Sequence, residues 1–250
     1  MGDFNLAGIT QARQIHQLEI YEKLWNDAVS AFESGEPKLD PHLPDKSKDV
    51  RRGVTLIFRP GANVRNVVAG FTAKLAELCP GQYFYQPQEL HVTVLSIITM
   101  TELWTQEMER FQQCRPIIGG ALSSQRTFEI KFRGVTASPD SVLIQGFPAN
   151  NGLESIRAEL RGAFARSGFA DMLDRRYKVT ASHMTFMRFC FRQSHSDLKR
   201  LLAFLKENRQ TNFGECEVQK LELILGDWYA SEDRVETLEE YPLLRPISEP

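Results

Sequence analysis

Apolar side chains near the start of the chain recur with the period of an α-helix. Between Thr10 and Phe32 they are spaced by three and four residues, at Ile15, Leu18, Tyr21, Trp25 and Val29. This spacing predicts one amphipathic helix. The polar stretch ESGEPKLDPHLPDKSKD contains three prolines and predicts a loop after that helix. We therefore predict a helix and linker over residues 1–50, ahead of a larger domain over residues 51–250.

From residue 53 onward, short apolar runs alternate with helical patterns, and the whole series occurs twice. VTLIFRPGAN (residues 54–63) and VLIQGFPAN (residues 142–150) each precede a helical pattern, a strand, a second helix and a final strand. The final strands are TFEIKFRGV from Thr127 and CEVQKLELIL from Cys216. The repetition predicts two copies of a β-α-β-α-β unit, at about residues 53–138 and 141–231.

The middle strand of each copy carries the pattern H-x-T. ELHVTVLSII contains His91 and Thr93, and ASHMTFMRF contains His183 and Thr185. Side chains alternate along a strand, so each histidine projects with its threonine while the apolar neighbours face the core. If an approximate two-fold axis relates the copies, the two histidines converge on one cleft.

Two facing histidines suit the cleavage of a phosphodiester. One neutral imidazole takes a proton from the attacking water or hydroxyl, and one protonated imidazole gives a proton to the leaving oxygen. A threonine hydroxyl beside each histidine can donate a hydrogen bond to the charged non-bridging oxygens. One match to this short pattern is close to chance in a chain with five histidines. The pair at equivalent positions is what favours a functional site.

A zinc site is the competing interpretation, because two histidines and a carboxylate can bind a zinc ion. Neither motif is accompanied by H-E-x-x-H or by a comparable carboxylate spacing. We therefore predict no metal site and no other cofactor.

The paired motifs, their spacing and the duplicated unit resemble the 2H phosphoesterase superfamily, which includes 2′-5′ RNA ligase-like proteins and cyclic phosphodiesterases. The resemblance covers the chain from Val54 to Leu244. It implies a bilobal α+β fold, with duplicated units whose antiparallel sheets form a central groove. It also implies that His91 and His183 are the catalytic acid and base. Thr93 and Thr185 would hold phosphate oxygens, without a metal.

Other residues near the motifs are candidates for substrate binding. A basic cluster could hold a phosphate or an adjacent nucleotide, or could be a solvated loop, and it consists of Arg175, Arg176 and Lys178. Four aromatic residues could stack on a base or pack in the core, and they are Tyr83, Tyr85, Trp228 and Tyr229. Strand alternation places Arg188 opposite His183, which favours a contact between lobes over a phosphate contact.

Composition and charge narrow the class of partner. A net charge of −2 disfavours an extended grip on long nucleic acid and leaves a small nucleotide or an RNA end as substrate. The four cysteines form no C-x-x-C pair, which is typical of a reduced, cytoplasmic protein. No apolar run is long enough to span a membrane and no secretory signal is recognisable. We expect a monomer.

These observations predict a metal-independent phosphodiesterase that hydrolyses a 2′,3′-cyclic phosphate or a related cyclic phosphate. Hydrolysis of a 2′-5′ linkage and trimming of an RNA 3′ end are alternatives within the same chemistry. A non-catalytic RNA- or nucleotide-binding module is an alternative from another class. A scaffold is a third possibility, if the stripe containing Trp25 is exposed; we expect instead that the helix packs on the first lobe.

Overall fold

The computed structural model describes residues 3–173 and 180–245, with side chains from residue 14 onward. Its helices are α1 (Asp3–Glu33), α2 (Ala62–Leu78), α3 (Trp104–Leu122), α4 (Gly152–Arg166) and α5 (His195–Glu207). Its strands are β1 (Arg52–Phe58), β2 (Tyr83–Phe84), β3 (Val92–Thr101), β4 (Phe128–Ser138), β5 (Ser141–Pro148), β6 (Met184–Arg188), β7 (Asn212–Val218), β8 (Lys220–Gly226) and β9 (Glu236–Pro242). Two short 3-10 helices, Leu43–Lys48 and Ala170–Met172, complete the regular structure.

The strands form one curled antiparallel sheet in the order β7-β4-β5-β6-β3-β1-β8-β9. The short strand β2 pairs with Met187 and Arg188 at the end of β6, beyond the pairing of β6 with β3. The half that carries the second motif, called here the second-copy half, contains β7, β4, β5 and β6, although β4 comes from the first predicted copy. The half that carries the first motif, called here the first-copy half, contains β3, β1, β8 and β9, although β8 and β9 follow the second motif in the chain. The halves join where Val92 of β3 pairs with Met184 of β6. The prediction of an α+β fold with duplicated units and antiparallel pairing around a groove is confirmed.

The predicted strand CEVQKLELIL is two strands that lie in opposite halves of the sheet. β7 pairs with β4 and β8 pairs with β1, with a break at Gln219. Val218 and Leu221 are both buried although they are three residues apart. A straight strand places such residues on opposite faces, so the break restores the burial of both. The single-strand prediction was therefore wrong, and the chain crosses between the halves at this point.

Helix α1 packs on β4, β5 and α5, which belong to the second-copy half. Its stripe is buried at Tyr21, Trp25 and Phe32, and the Thr136 hydroxyl donates to the Tyr21 carbonyl over 3.1 Å. The expectation that this helix packs on the first lobe holds only in part, because α1 contacts β4 of the first predicted copy together with β5 and α5 of the second. The stripe is covered at Trp25, which is only 8% exposed, so the condition of the scaffold hypothesis is not met there, whereas Ile15 and Leu18 of the same stripe are exposed.

The linker after α1 is fixed to both halves of the sheet. Lys38 N–H donates to the Pro139 carbonyl, and Asp40 N–H donates to the Phe189 carbonyl, both over 2.8 Å in the second-copy half. On the other side Lys46 Nζ donates to Ser231 Oγ over 2.8 Å. The linker therefore crosses the junction of the two halves.

Within the described chain, no helix combines the length and apolarity that a membrane crossing requires.

The two faces of the first-copy half have different roles. Val54, Leu56 and Phe58 of β1 join the main hydrophobic core. Ile57, on the opposite face, packs instead with Ile224 and Ala230 in a small separate cluster. This opposite face is the one that continues into the groove beside the H-x-T motifs.

Candidate active site

The junction of the two sheet halves brings both H-x-T motifs into one cavity of about 120 Å³. Val92 and Met184 pair at this junction, and both side chains are buried in the core. Because side chains alternate, the residues on either side of each must face the groove. His91, Thr93, His183 and Thr185 all line the cavity. The antiparallel register places each histidine beside the threonine of the other motif.

Burial sets the protonation of both imidazoles. It lowers the pKa of His91 to about 4, and the nearby Arg59 and Arg188 cations act in the same direction. It also lowers the pKa of His183 to about 4, together with the charges of Arg188 and Arg157. Both histidines are therefore neutral near pH 7 when the cavity holds no anion.

The two imidazoles are anchored differently. His91 Nδ1 lies 2.7 Å from the Glu89 carbonyl oxygen, which can only accept a hydrogen bond. Nδ1 of the neutral ring therefore carries the hydrogen, and Nε2 is the atom that can take up a proton. His183 Nδ1 is buried and has no hydrogen-bond partner among the described residues. The orientation of His183 thus depends on its backbone and on packing.

Arg188 lines the same cavity as the motifs, so its predicted position opposite His183 is wrong. The reason is an irregularity in the β5–β6 pairing, where Val142 pairs with Met187 but Leu143 pairs with Thr185. Phe186 and Met187 are consecutive and both fully buried. This bulge reverses the alternation and turns the next side chain into the groove.

The guanidinium of Arg188 is held in place by two hydrogen bonds. Nε donates to Tyr85 Oη over 2.9 Å, and Nη1 donates to Asp140 Oδ2 over 3.1 Å. Tyr85 also lines the cavity, and its ring centroid lies 6.5 Å from that of His91. The cavity therefore contains a fixed cation beside the two histidines and the two threonines.

Two of the three predicted base-stacking tyrosines lie outside the cavity lining. Tyr83 donates to Glu89 Oε2 over 3.0 Å, and the ammonium of Lys46 covers its ring at 4.8 Å. Tyr229 packs against Tyr83 and is 0% exposed, so the prediction that it contacts a base is wrong. The adjacent Trp228 lines the cavity instead. The third tyrosine, Tyr85, is 4% exposed and offers little ring surface for stacking.

The predicted basic cluster cannot be placed relative to the cavity. Arg175, Arg176 and Lys178 fall within residues 174–179, outside the described residues. Their part in substrate binding remains a prediction.

Arg157 connects β3 with the segment that precedes β6 through hydrogen bonds to backbone carbonyls of both. This α4 residue is 1% exposed and donates to the carbonyls of Val94 (3.0 Å) and Thr93 (2.9 Å). It also donates to the carbonyls of Thr180 (3.2 Å) and Ala181 (2.9 Å), just before His183. Burial lowers the pKa of Arg157 to about 10, which leaves it cationic at neutral pH.

Sequence reasoning missed Arg157, although a signal for it exists. Leu153, Arg157, Leu160 and Phe164 share the helical spacing of a buried stripe, and all four are buried. A cation at a core position of an amphipathic helix needs polar partners in the interior. Those partners are two carbonyls of β3 and the carbonyls of Thr180 and Ala181 in the segment before β6.

The cavity extends along β3 from His91 towards Met100. Along the way it is lined by Ser96 of β3 itself and by residues of the neighbouring strands and the β8–β9 connection, namely Thr55, Ile57, Ile224, Asp227 and Ala230. Asp227 Oδ1 accepts hydrogen bonds from the backbone N–H groups of Tyr229 and Ser231 and shapes that connection.

In the described part of the chain, no group of three or more His, Cys, Asp or Glu side chains could hold a metal ion.

Comparison with known proteins places both motifs inside a recognised domain. The family model described as the AKAP7 2'5' RNA ligase-like domain matches residues 61–233. No curated protein matches the chain at a significant level.

Several solved structures share the fold. The protein TT0787 of Thermus thermophilus is 16% identical with a TM-score of 0.56, over 77% of this chain and 97% of that one. LigT of E. coli, in its complex with 3'-AMP, is 15% identical with a TM-score of 0.55, over 77% and 98% of the two chains. A structure described only as a phosphoesterase is 14% identical with a TM-score of 0.55, over 78% and 99%. At these identities the likeness concerns the fold.

Proposed function

Because this chain belongs to the AKAP7 2'5' RNA ligase-like domain family of the 2H phosphoesterase superfamily, we propose that it is a metal-independent phosphodiesterase. Its substrate is a 2′,3′-cyclic phosphate, or a related cyclic phosphate, of a nucleotide or an RNA end. The observation that carries the proposal is the convergence of both H-x-T motifs and Arg188 on one cavity.

In the proposed mechanism, the two histidines move two protons. One neutral imidazole takes a proton from water, whose oxygen then attacks phosphorus. The other imidazole, protonated, gives its proton to the ribose oxygen as the phosphorus–oxygen bond breaks. The product is a phosphate monoester with one free ribose hydroxyl. The orientation of the substrate in the groove decides which of His91 and His183 acts as the base.

The remaining cavity residues suit the charge that develops on phosphate. Thr93 and Thr185 donate hydrogen bonds to non-bridging oxygens, and Arg188 adds a fixed positive charge. A bound phosphate anion favours the imidazolium form, so it raises the histidine pKa values from about 4. Substrate binding thereby supplies the protonated histidine that the acid step requires.

A small nucleotide is the proposed ligand rather than a long strand, because a net charge of −2 disfavours an extended grip on phosphates. The indole of Trp228 borders the cavity and offers a surface on which a base can stack. The E. coli LigT relative has been crystallised with 3'-AMP and with ATP, which supports a nucleotide as the ligand here. Tyr85 contributes through its hydroxyl, which orients Arg188.

Hydrolysis of a 2′-5′ linkage is the second candidate, because the description of the family names that linkage. The same residues would serve, with the 2′ oxygen as the leaving group. Trimming of an RNA 3′ end uses the same chemistry on a longer substrate.

The test is a panel of 2′,3′-cyclic nucleotides, 2′-5′ dinucleotides and short RNA, each assayed in EDTA with identification of the products. Preferential opening of the cyclic phosphates supports the first proposal. Preferential cleavage of the dinucleotides supports the second candidate. Nucleotide binding without turnover of any substrate would favour a binding module, and loss of activity in EDTA would overturn metal independence.

A further inference from the structure

The backbone pairing of β5 with β6 stops just before His183 is reached, and a residue of helix α1 makes the next hydrogen bonds to both segments. β5 and β6 pair up to Ile144 and Met184. Continuing this register would set Gly146 opposite Ser182, the residue just before His183. Between them lies the Tyr21 hydroxyl, which accepts the N–H of Gly146 (3.2 Å) and the N–H of Ser182 (3.2 Å). It donates to the Gly146 carbonyl over 3.1 Å.

These contacts use the whole hydrogen-bonding capacity of the phenol. A tyrosine hydroxyl has one donor and two acceptor positions, and all three are occupied. The strands approach closely here, because a Cβ on Gly146 would lie 2.1 Å from the Ser182 carbonyl oxygen. Tyr21 is 0% exposed, and burial raises its pKa to about 12, so the hydroxyl stays neutral.

The anchored segment is the one on which His183 depends. Its Nδ1 has no hydrogen-bond partner in the described chain, whereas His91 Nδ1 is tied to the Glu89 carbonyl. The position of the His183 imidazole is therefore set by the backbone before it. That backbone is held at Thr180 and Ala181 by Arg157, and at Ser182 by Tyr21.

We propose that Tyr21 is a positioning residue for His183, so that helix α1 completes the active site. Tyr21 lies outside residues 61–233, the part of the chain that the family model matches. The proposal rests on the proposed function in one respect, the catalytic role of His183.

The decisive variant is Tyr21→Phe, which keeps the ring and its edge contact with Phe147 but removes the hydroxyl. We expect kcat to fall roughly ten- to a hundredfold with KM changed less than about threefold, because displacement of a catalytic group by about 1 Å has effects of this size. Thr136→Val is the matched control. It removes the hydroxyl that donates to the Tyr21 carbonyl, within the same helix–sheet contact but without touching Ser182. It should leave kcat unchanged.

A second readout needs no substrate. The pKa of each histidine is measured by nitrogen-15 NMR in the wild type, Tyr21→Phe and Thr136→Val. In Tyr21→Phe a loosened His183 gains contact with water, so its pKa should rise from about 4 towards 6.5 while that of His91 stays. The charged and titratable groups that act on His183 are unchanged in all three proteins, namely Arg188, Arg157, His91 and Asp140.

An unchanged kcat and an unchanged His183 titration in folded Tyr21→Phe would overturn the proposal. Equal losses in Thr136→Val would also overturn it, since they would reflect docking of the helix. If Tyr21→Phe does not fold, amide hydrogen exchange of the wild type decides instead. Ser182 and Gly146 should be protected as strongly as Met184, and fast exchange would contradict the contact. A wild type without activity would count against the proposed function but leave the titration and exchange tests intact.

Discussion

Val92 of β3 lies opposite Met184 of β6, and this pair joins the two halves of the sheet. Both side chains are buried on the core face, so the histidines and threonines beside them must face the groove. A slip of one residue in either strand would bury an imidazole and expose a core side chain. The hydrophobic core therefore fixes where the candidate catalytic groups meet.

The first prediction concerns the threonine hydroxyls. Thr93→Val and Thr185→Val keep the shape of the side chain but remove the donor that faces the phosphate. Each should lower kcat by about a hundredfold, the usual effect of losing one such donor. Steady-state kinetics on the best substrate of the panel checks this. Thr237→Val, at an exposed position of β9, is the control and should keep full activity. Wild-type kcat in either motif variant would exclude a donor role.

The second prediction concerns the cation in the cavity. Arg188→Met should weaken the binding of inorganic phosphate by about ten- to a hundredfold, because a hydrogen bond to a charged group contributes roughly 1.5–3 kcal/mol. Isothermal titration calorimetry measures the dissociation constant. Arg200→Met, which removes an exposed arginine of α5, should bind phosphate like the wild type. Equal affinity in wild type and Arg188→Met would show that Arg188 does not contact the anion.

The third prediction is an acid-shifted pH profile. The profile of kcat/KM reports the free enzyme, in which both histidines have a pKa of about 4. The base must be neutral and the acid protonated, so activity falls below and above that region. We expect a bell-shaped profile of kcat/KM whose maximum lies below pH 6.5 and which declines towards neutral pH. A bound phosphate raises the histidine pKa values, so the kcat maximum should lie at higher pH. A kcat/KM maximum above pH 6.5 would contradict the pKa shifts, and a single ionisation would contradict paired catalysis.

The fourth prediction concerns the buried guanidinium behind the motifs. Arg157→Met removes donors to four backbone carbonyls, two in β3 and two in the segment before β6. It should lower the free energy of unfolding by about 3 kcal/mol or more, since buried acceptors left without partners cost roughly 1–3 kcal/mol each. Urea denaturation at neutral pH measures this. Arg166→Met, on the exposed end of the same helix, should change stability by less than about 1 kcal/mol. A comparable small change in both variants would mean that other contacts hold the two strands.

Much of the site was predictable because it follows from strand alternation. The H-x-T pairs could be assigned to one face since their neighbours are apolar. Arg188 could not, because the bulge at Phe186 and Met187 depends on pairing with β5, which the local sequence does not reveal. Tyr229 and Trp228 are adjacent in the chain, and only the course of the β8–β9 connection decides which one reaches the cavity.

Long-range packing explains the remaining differences. The division of residues 212–226 into two strands is marked by a change in the phase of buried positions, from Val218 to Leu221. The half of the sheet that receives α1 depends on partners more than a hundred residues away, as in the contact of Tyr21 with Gly146. An amphipathic stripe shows that a helix is covered without showing what covers it.

Catalysis by the histidine pair is tested by the turnover of His91→Ala and His183→Ala in EDTA, beside the wild type and His16→Ala. His16 is an exposed histidine of α1 and serves as the matched control. We expect both motif variants to lose activity by about a thousandfold, while they still bind nucleotide and His16→Ala is unaffected. Near-normal turnover by either motif variant, with the fold intact, would contradict catalysis by the histidine pair.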